Sequence, residues 1–186
     1  MCGPLLELIP THLGNVPRIH ESAYVAQNAI VCGNVRIGRG SRIMFGACVI
    51  AEGKGIDIGE NSIVMENAVV RSTLKQTTKI GSNCLIGPHA HLAGCTLEDC
   101  VFVATGASVF HGARLGYGSE VRINGVVHLR TRLGRGEVVP IGWIAVGDPA
   151  KILPPTEHER IWAIQRSLNF PGYVYGVKRV PRGRAT

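Results

Sequence analysis

Aliphatic residues recur every six positions along most of this chain, with small and polar residues between them. The series opens with Ile19, Val25, Val31, Ile37, Ile43 and Val49, then Ile58, Val64 and Val70, then Ile80, Ile86 and Leu92. It continues as Leu97, Val103, Val109, Leu115, Val121, Val127, Leu133 and Val139. All twenty are Ile, Leu or Val. Such a hexapeptide repeat predicts a solenoid β-helix. Three hexads make one triangular coil, so residues about eighteen apart stack on each other. The opening aliphatic points into the prism and the second residue points outward. The third and fourth residues turn, and the fifth points into a corner with room only for something small. Between Ile80 and Arg114 the fifth residues are Cys84, Ala90, Thr96, Val101, Ala107 and Ala113, and the block Leu92–Thr96 is one residue short. Each coil buries its core only against its neighbours, so no hexad is stable alone.

Two interruptions break the register. Residues 53–57 (GKGID) add three positions before Ile58, and residues 72–79 (STLKQTTK) insert a polar loop before Ile80. Loops that leave a rigid repeat scaffold often border a site. The chain therefore divides into a proline-containing lead-in over 1–18, a repeat domain over 19–150, and a C-terminal segment over 151–186. After Val139 the stretch IGWIAVGDPAKILPP is expected to leave the prism. Thr156 and Glu159 form a capping box that predicts a helix over about 156–168, with Ile161, Ile164 and Leu168 as its apolar stripe.

Low aromatic content (5%) and 24 glycines suit a stacked-coil fold with a narrow aliphatic core. Much of the +7 net charge lies in the tail, at Lys178, Arg179, Arg182 and Arg184. No aromatic interleaving or basic helix accompanies it, so a nucleic-acid partner is not expected. The six cysteines form no C-x-x-C pair and several occupy small-residue repeat positions, which predicts reduced thiols in a cytoplasmic protein. No secretory segment and no bilayer-length apolar run is present, so no membrane partner is expected.

With the register in hand, the chain resembles the γ-class carbonic anhydrase-like proteins of the hexapeptide-repeat acyltransferase superfamily. The residues that carry the resemblance are the short block in LAGCTLED, the two interruptions and the exit segment GDPAKIL, over about 25–154. It implies an all-β solenoid, a left-handed parallel β-helix closed by a C-terminal α-helix, assembled as a homotrimer with sites between subunits. The family's zinc histidines fall on Arg71, Pro88 and Ala93 here, so the usual metal triad is missing. Acidic and polar family positions become Glu52 and the pair Met65-Glu66. The stretch VIAEGKGIDIG is similar to the small dynactin β-helix subunits, which implies an assembly role as one possibility.

Three readings follow. One is a metal-free trimer in which Arg71, with Glu52 and Glu66, binds a small anion at the inter-subunit cleft or serves as a structural clamp. Another is an acyl-CoA-dependent acyltransferase, with acetyl-CoA as cosubstrate and His89, His91 or His111 as general base, since imidazole titrates near neutrality. The third is a zinc hydrase with displaced ligands, built from His89 of one subunit and His91 of the next. The residues themselves fix no cofactor.

Overall fold

Twenty-two short strands, most of two or three residues, wind into a three-sided prism. The computed structural model describes residues 12–157 together with 159, 161 and 163. Three sheets form the sides, with seven, seven and eight strands. Within each sheet the prism strands pair in parallel with the strand one coil away. The fold is thus the expected all-β solenoid of about seven coils, matching a left-handed β-helix of hexapeptide repeats.

The core follows the period. Eighteen of the twenty opening aliphatics are at most 3% exposed. Ile19 and Val25 are only partly buried because they belong to the first coil, which has a neighbour on one side only. The interruptions appear as register offsets. Ile37 pairs with Ile58 and Ile58 with Ile80, longer steps than the usual eighteen. Ile80 pairs with Leu97, one residue shorter, and Leu97 with Leu115 restores the period. Extra residues therefore bulge out at a corner while the aliphatic column stays continuous.

Corners are stabilised by polar groups as well as by small ones. Ser41 is buried; its hydroxyl donates to the Gly59 carbonyl (2.7 Å) and accepts from the Ser62 N–H (3.0 Å). Ser62 repeats the pattern one coil on, donating to Gly81 and accepting from Cys84 N–H. These buried hydroxyls thus satisfy turn groups that the strand ladders leave over. The turn position itself needs a left-handed backbone, supplied by Asn61, Asn67, Asn83, Asn124 and several glycines. Gly46 combines φ +72° with the Asn67 side-chain oxygen close to where a Cβ would stand, so any other residue there is strained and displaces Asn67.

Two expectations need correction. In the short block the corner is filled by Cys95, which is buried, whereas Thr96 begins the next strand and is half-buried. Deleting one residue moves the corner from the fifth position to the fourth. The chain also does not leave the prism after Val139. Strand Ile144–Val146 adds a further rung to the third sheet with Ala145 in the core, and Lys151–Leu153 then folds back antiparallel along it. The hexad rule stops short of this rung because Ala145, not a large aliphatic, fills the narrowing end.

The chain divides into two units, 1–153 and 154–186. In the second, a 3-10 turn spans Pro155–Glu157. The helix expected over about 156–168 and the basic tail fall largely outside the described residues.

Candidate functional site

The third sheet carries the chemistry. Its outward positions on successive strands place Ile50 beside Arg71 and Arg71 beside Ala93. Phe110 and His128 continue the same column, one and two coils on. Arg71 ends strand Val69–Arg71, just before the polar loop. Its guanidinium Nη2 lies 2.6 Å from Glu52 Oε2, on the bulge made by the other interruption. The pair forms within one chain, and both side chains are 42% exposed.

The two interruptions are tied together beneath this ion pair. The Ser72 hydroxyl donates to the Lys54 carbonyl, and the Lys54 N–H donates to the Thr73 carbonyl (3.0 Å). Thr73 Oγ1 accepts from the Gln76 N–H (2.9 Å) and closes the loop on itself. The Thr78 hydroxyl donates to the Arg71 carbonyl (2.6 Å) and accepts from the Gly94 N–H (2.8 Å). Arg71 is thus fixed at its backbone by a buried threonine at the far end of the loop.

Two imidazoles adjoin the guanidinium. His91 starts the strand next to Val69–Arg71, in register with Val69. Its pKa is lowered, first by burial, then by the positive charge of Arg71, then by His111. His111 is lowered by burial and by Arg71. A Cβ on Gly94 would stand 3.3 Å from the His111 ring and 3.0 Å from Gln76 Oε1, so this glycine leaves room for both side chains. Phe110 packs edge-on to His91, ring centres 6.5 Å apart, and tilted against His128 at 6.2 Å. His128 is buried and its pKa is lowered by burial. The arrangement offers cationic N–H donors and neutral imidazoles in one half-buried patch, a combination that can hold an anion or accept a proton.

The other candidates sit elsewhere. His89 occupies an exposed corner at φ +57°, its N–H donating to the Glu66 carbonyl (3.0 Å). Neither His89 nor Glu66 takes part in the Arg71–Glu52 pair, and Glu66 has no ion pair among the described residues. Gln76 was not foreseen. The length of the polar loop was its only signal, because where the loop's side chains land depends on how it closes.

Zinc needs three or four converging N, S or O donors at about 2 Å. Arg71, Pro88 and Ala93 offer a guanidinium, a pyrrolidine ring and a methyl group. Among the described residues no three His, Cys, Asp or Glu side chains come together to hold a metal ion. Within one chain, then, the residues at this position do not fit zinc.

No family model matches the chain. It is 34% identical over 157 residues to gamma carbonic anhydrase 1, mitochondrial, of Arabidopsis thaliana, covering 81% of this chain and 55% of that protein. It is 36% identical over 161 residues to gamma carbonic anhydrase 3, mitochondrial, of the same plant, covering 83% and 60%. The chain thus spans a little over half the length of these curated relatives. Among solved structures, a hexapeptide transferase family protein from Anaplasma phagocytophilum is 30% identical, with a TM-score of 0.54, covering 84% of this chain and 89% of that one. A UDP-N-acetylglucosamine acyltransferase from Bacteroides fragilis shares the fold at 18% identity and a TM-score of 0.63, covering 91% and 79%. Among the described residues no helix is long and apolar enough to cross a membrane.

Proposed function

The chain belongs to the hexapeptide transferase family and is γ-carbonic anhydrase-like, and from that premise we propose that its Arg71 cluster binds a small carboxylate-type anion without a metal. The observation that carries this reading is the guanidinium at a family zinc-ligand position, coupled to His91 and His111 and balanced by a single carboxylate, Glu52. Glu52 engages one guanidinium nitrogen, which leaves further N–H donors for a planar anion such as acetate, oxalate or bicarbonate. Half-burial strengthens such contacts relative to open water.

The working assembly in this proposal is a homotrimer, with the third-sheet face forming part of each inter-subunit cleft. Support comes from apolar surface that a single chain leaves open. A hollow of about 590 Å³ on the second sheet is lined by Met65, Leu85, Phe102, Ile123 and Ile141, among others. Ile141 is 62% exposed and Ile123 46%. Patches of this kind mark interaction surfaces.

Thermal melting of zinc-free protein tests the binding reading. Oxalate or bicarbonate at 100 times Kd stabilises the native state by about 2.7 kcal/mol, and the stabilisation rises with the logarithm of concentration above Kd. The shift disappears in Arg71→Gln. A shift that persists in that variant, or that sulfate or chloride at matched ionic strength reproduces, refutes anion binding at Arg71 and leaves the ion pair as a structural clamp.

A second reading is acyl transfer, favoured by one observation: burial and Arg71 keep His91 and His111 in the neutral form that a general base requires. On this reading acetyl-CoA binds saturably, and transfer to an acceptor falls in His91→Ala. If acetyl-CoA neither binds nor shifts the melting point, the reading is wrong.

A further inference from the structure

The first sheet presents an outward column that reads, in strand register, Arg18, Arg36, Asp57, Lys79, Thr96, Arg114 and Arg132. Its two halves differ. On the early coils Arg36 pairs with Asp57 at 2.7 Å and Arg39 with Glu60 at 3.1 Å, and Arg18 alone stands at the open end. On the later coils the cations are not matched. Arg114 and Arg132 lie directly opposite each other on neighbouring strands, about 4.8 Å apart at that spacing. Like charges directly opposite destabilise a sheet. Lys79 continues the column, Lys54 and Lys75 stand at one margin, and Arg135 stands at the other. None of these six exposed cations forms an ion pair among the described residues.

These cations line two adjoining hollows, of about 600 and 340 Å³, that share Thr77, Thr96 and Arg114. The floor of the larger one includes Gly116 and Gly134. A Cβ on Gly116 would come within 2.8 Å of the Gly134 backbone, so the two coils meet closely here, and Gly134 itself is exposed. Glu98 lines the larger hollow and accepts from the Tyr117 N–H (2.8 Å), and Glu137 beside it accepts from the Gly134 N–H (2.6 Å), so each is turned toward main chain while the cations outnumber them.

We infer that this hollow is a binding site for a linear polyphosphate group, distinct from the Arg71 cluster. Three features select that ligand class. The unmatched cations run from Lys79 to Arg132, three strand steps or about 14 Å, and Asp57 bounds them on one side. That length suits a short chain of linked phosphates rather than a long polymer. The Arg135 guanidinium lies over one face of the neighbouring Tyr117 ring at 4.2 Å, so that face is not offered for base stacking. Arginines and lysines together supply both forked and point-charge contacts to phosphate oxygens.

The experiment is calorimetric titration of the full chain with inorganic tripolyphosphate at constant ionic strength. Saturable binding is expected, weakened at least tenfold in an Arg114→Gln/Arg132→Gln double variant and unchanged in Arg36→Gln and Arg71→Gln. Circular dichroism of the double variant verifies that it is folded. A parallel arm with adenosine triphosphate identifies the source of the phosphates. Affinity equal to tripolyphosphate assigns the site to the phosphate chain alone, and tighter binding assigns it to a nucleotide. The inference is overturned if sulfate at matched ionic strength competes equally, if the double variant binds as the parent does, or if a single-stranded oligothymidine binds more tightly than tripolyphosphate.

Discussion

Replacing Arg71 by Gln should change how the protein's stability responds to pH, through two specific histidines. His91, His111 and His128 all have folded pKa values below the ordinary imidazole value. The unfolded chain therefore takes up their protons first as pH falls. Stability from the neutral imidazoles is complete above about pH 6.5 and is lost as pH falls through the folded values. With three such groups, unfolding takes up at most about three protons in this window, so log K for unfolding gains at most about three per pH unit. Partial exposure of His91 and His111 keeps the observed slope below that limit. The causes differ among the three. Arg71 contributes to the depression at His91 and His111, whereas burial alone acts on His128. In Arg71→Gln the His91 and His111 midpoints should rise while His128 stays in place, and the stability slope between pH 6.5 and 5.5 should flatten. Imidazole NMR titration reads the midpoints, and urea unfolding at several pH values reads the slope. Unchanged midpoints for His91 and His111, or an equal movement of all three, would refute the electrostatic coupling on which the site rests.

Other consequences are local. Thr78→Val removes the hydroxyl that bridges the Arg71 carbonyl and the Gly94 N–H, which remain bonded directly to each other at 3.1 Å, so the expected loss is about 0.5–1.5 kcal/mol with modestly faster amide exchange at Gly94. Gly46→Ala meets both a left-handed backbone and the Asn67 side chain, whereas Gly136→Ala meets only the backbone term, since nothing lies within 4 Å. Denaturant melts should rank Gly46→Ala as the more destabilised, with the backbone term about 1–2 kcal/mol. The Cys95 thiol is fully enclosed and its pKa is pushed up to about 12, so it should resist alkylation until the protein unfolds, while exposed Cys100 reacts in the native state. Mass spectrometry after a timed maleimide pulse distinguishes the two.

The prism was legible because its period is set by side-chain size alone. Val103, Val109, Leu115 and Val121 each fill one wall position, and no rearrangement of loops alters that. The short block was legible as a deletion, but which residue took the corner depended on where the strand restarted, and Cys95 rather than Thr96 filled it. The Ile144–Val146 rung was missed because Ala145 breaks the aliphatic rule at the end of the stack. The site was partly legible. Arg71 and Glu52 stand out as charges beside two register breaks, and His91 lies on the same sheet face. Glu66 and His89 share its neighbourhood in sequence, yet turns place them at a corner, His89 exposed and Glu66 half-buried. Gln76 carried no signal, because its place near His111 follows from loop closure around Thr73 and Thr78.

Isothermal titration of chelator-treated protein with oxalate bears most directly on the central claim. Saturable binding at one site per chain is expected, unaffected by the chelator and abolished in Arg71→Gln. Binding that appears only after zinc is added, or that survives in Arg71→Gln, would contradict it.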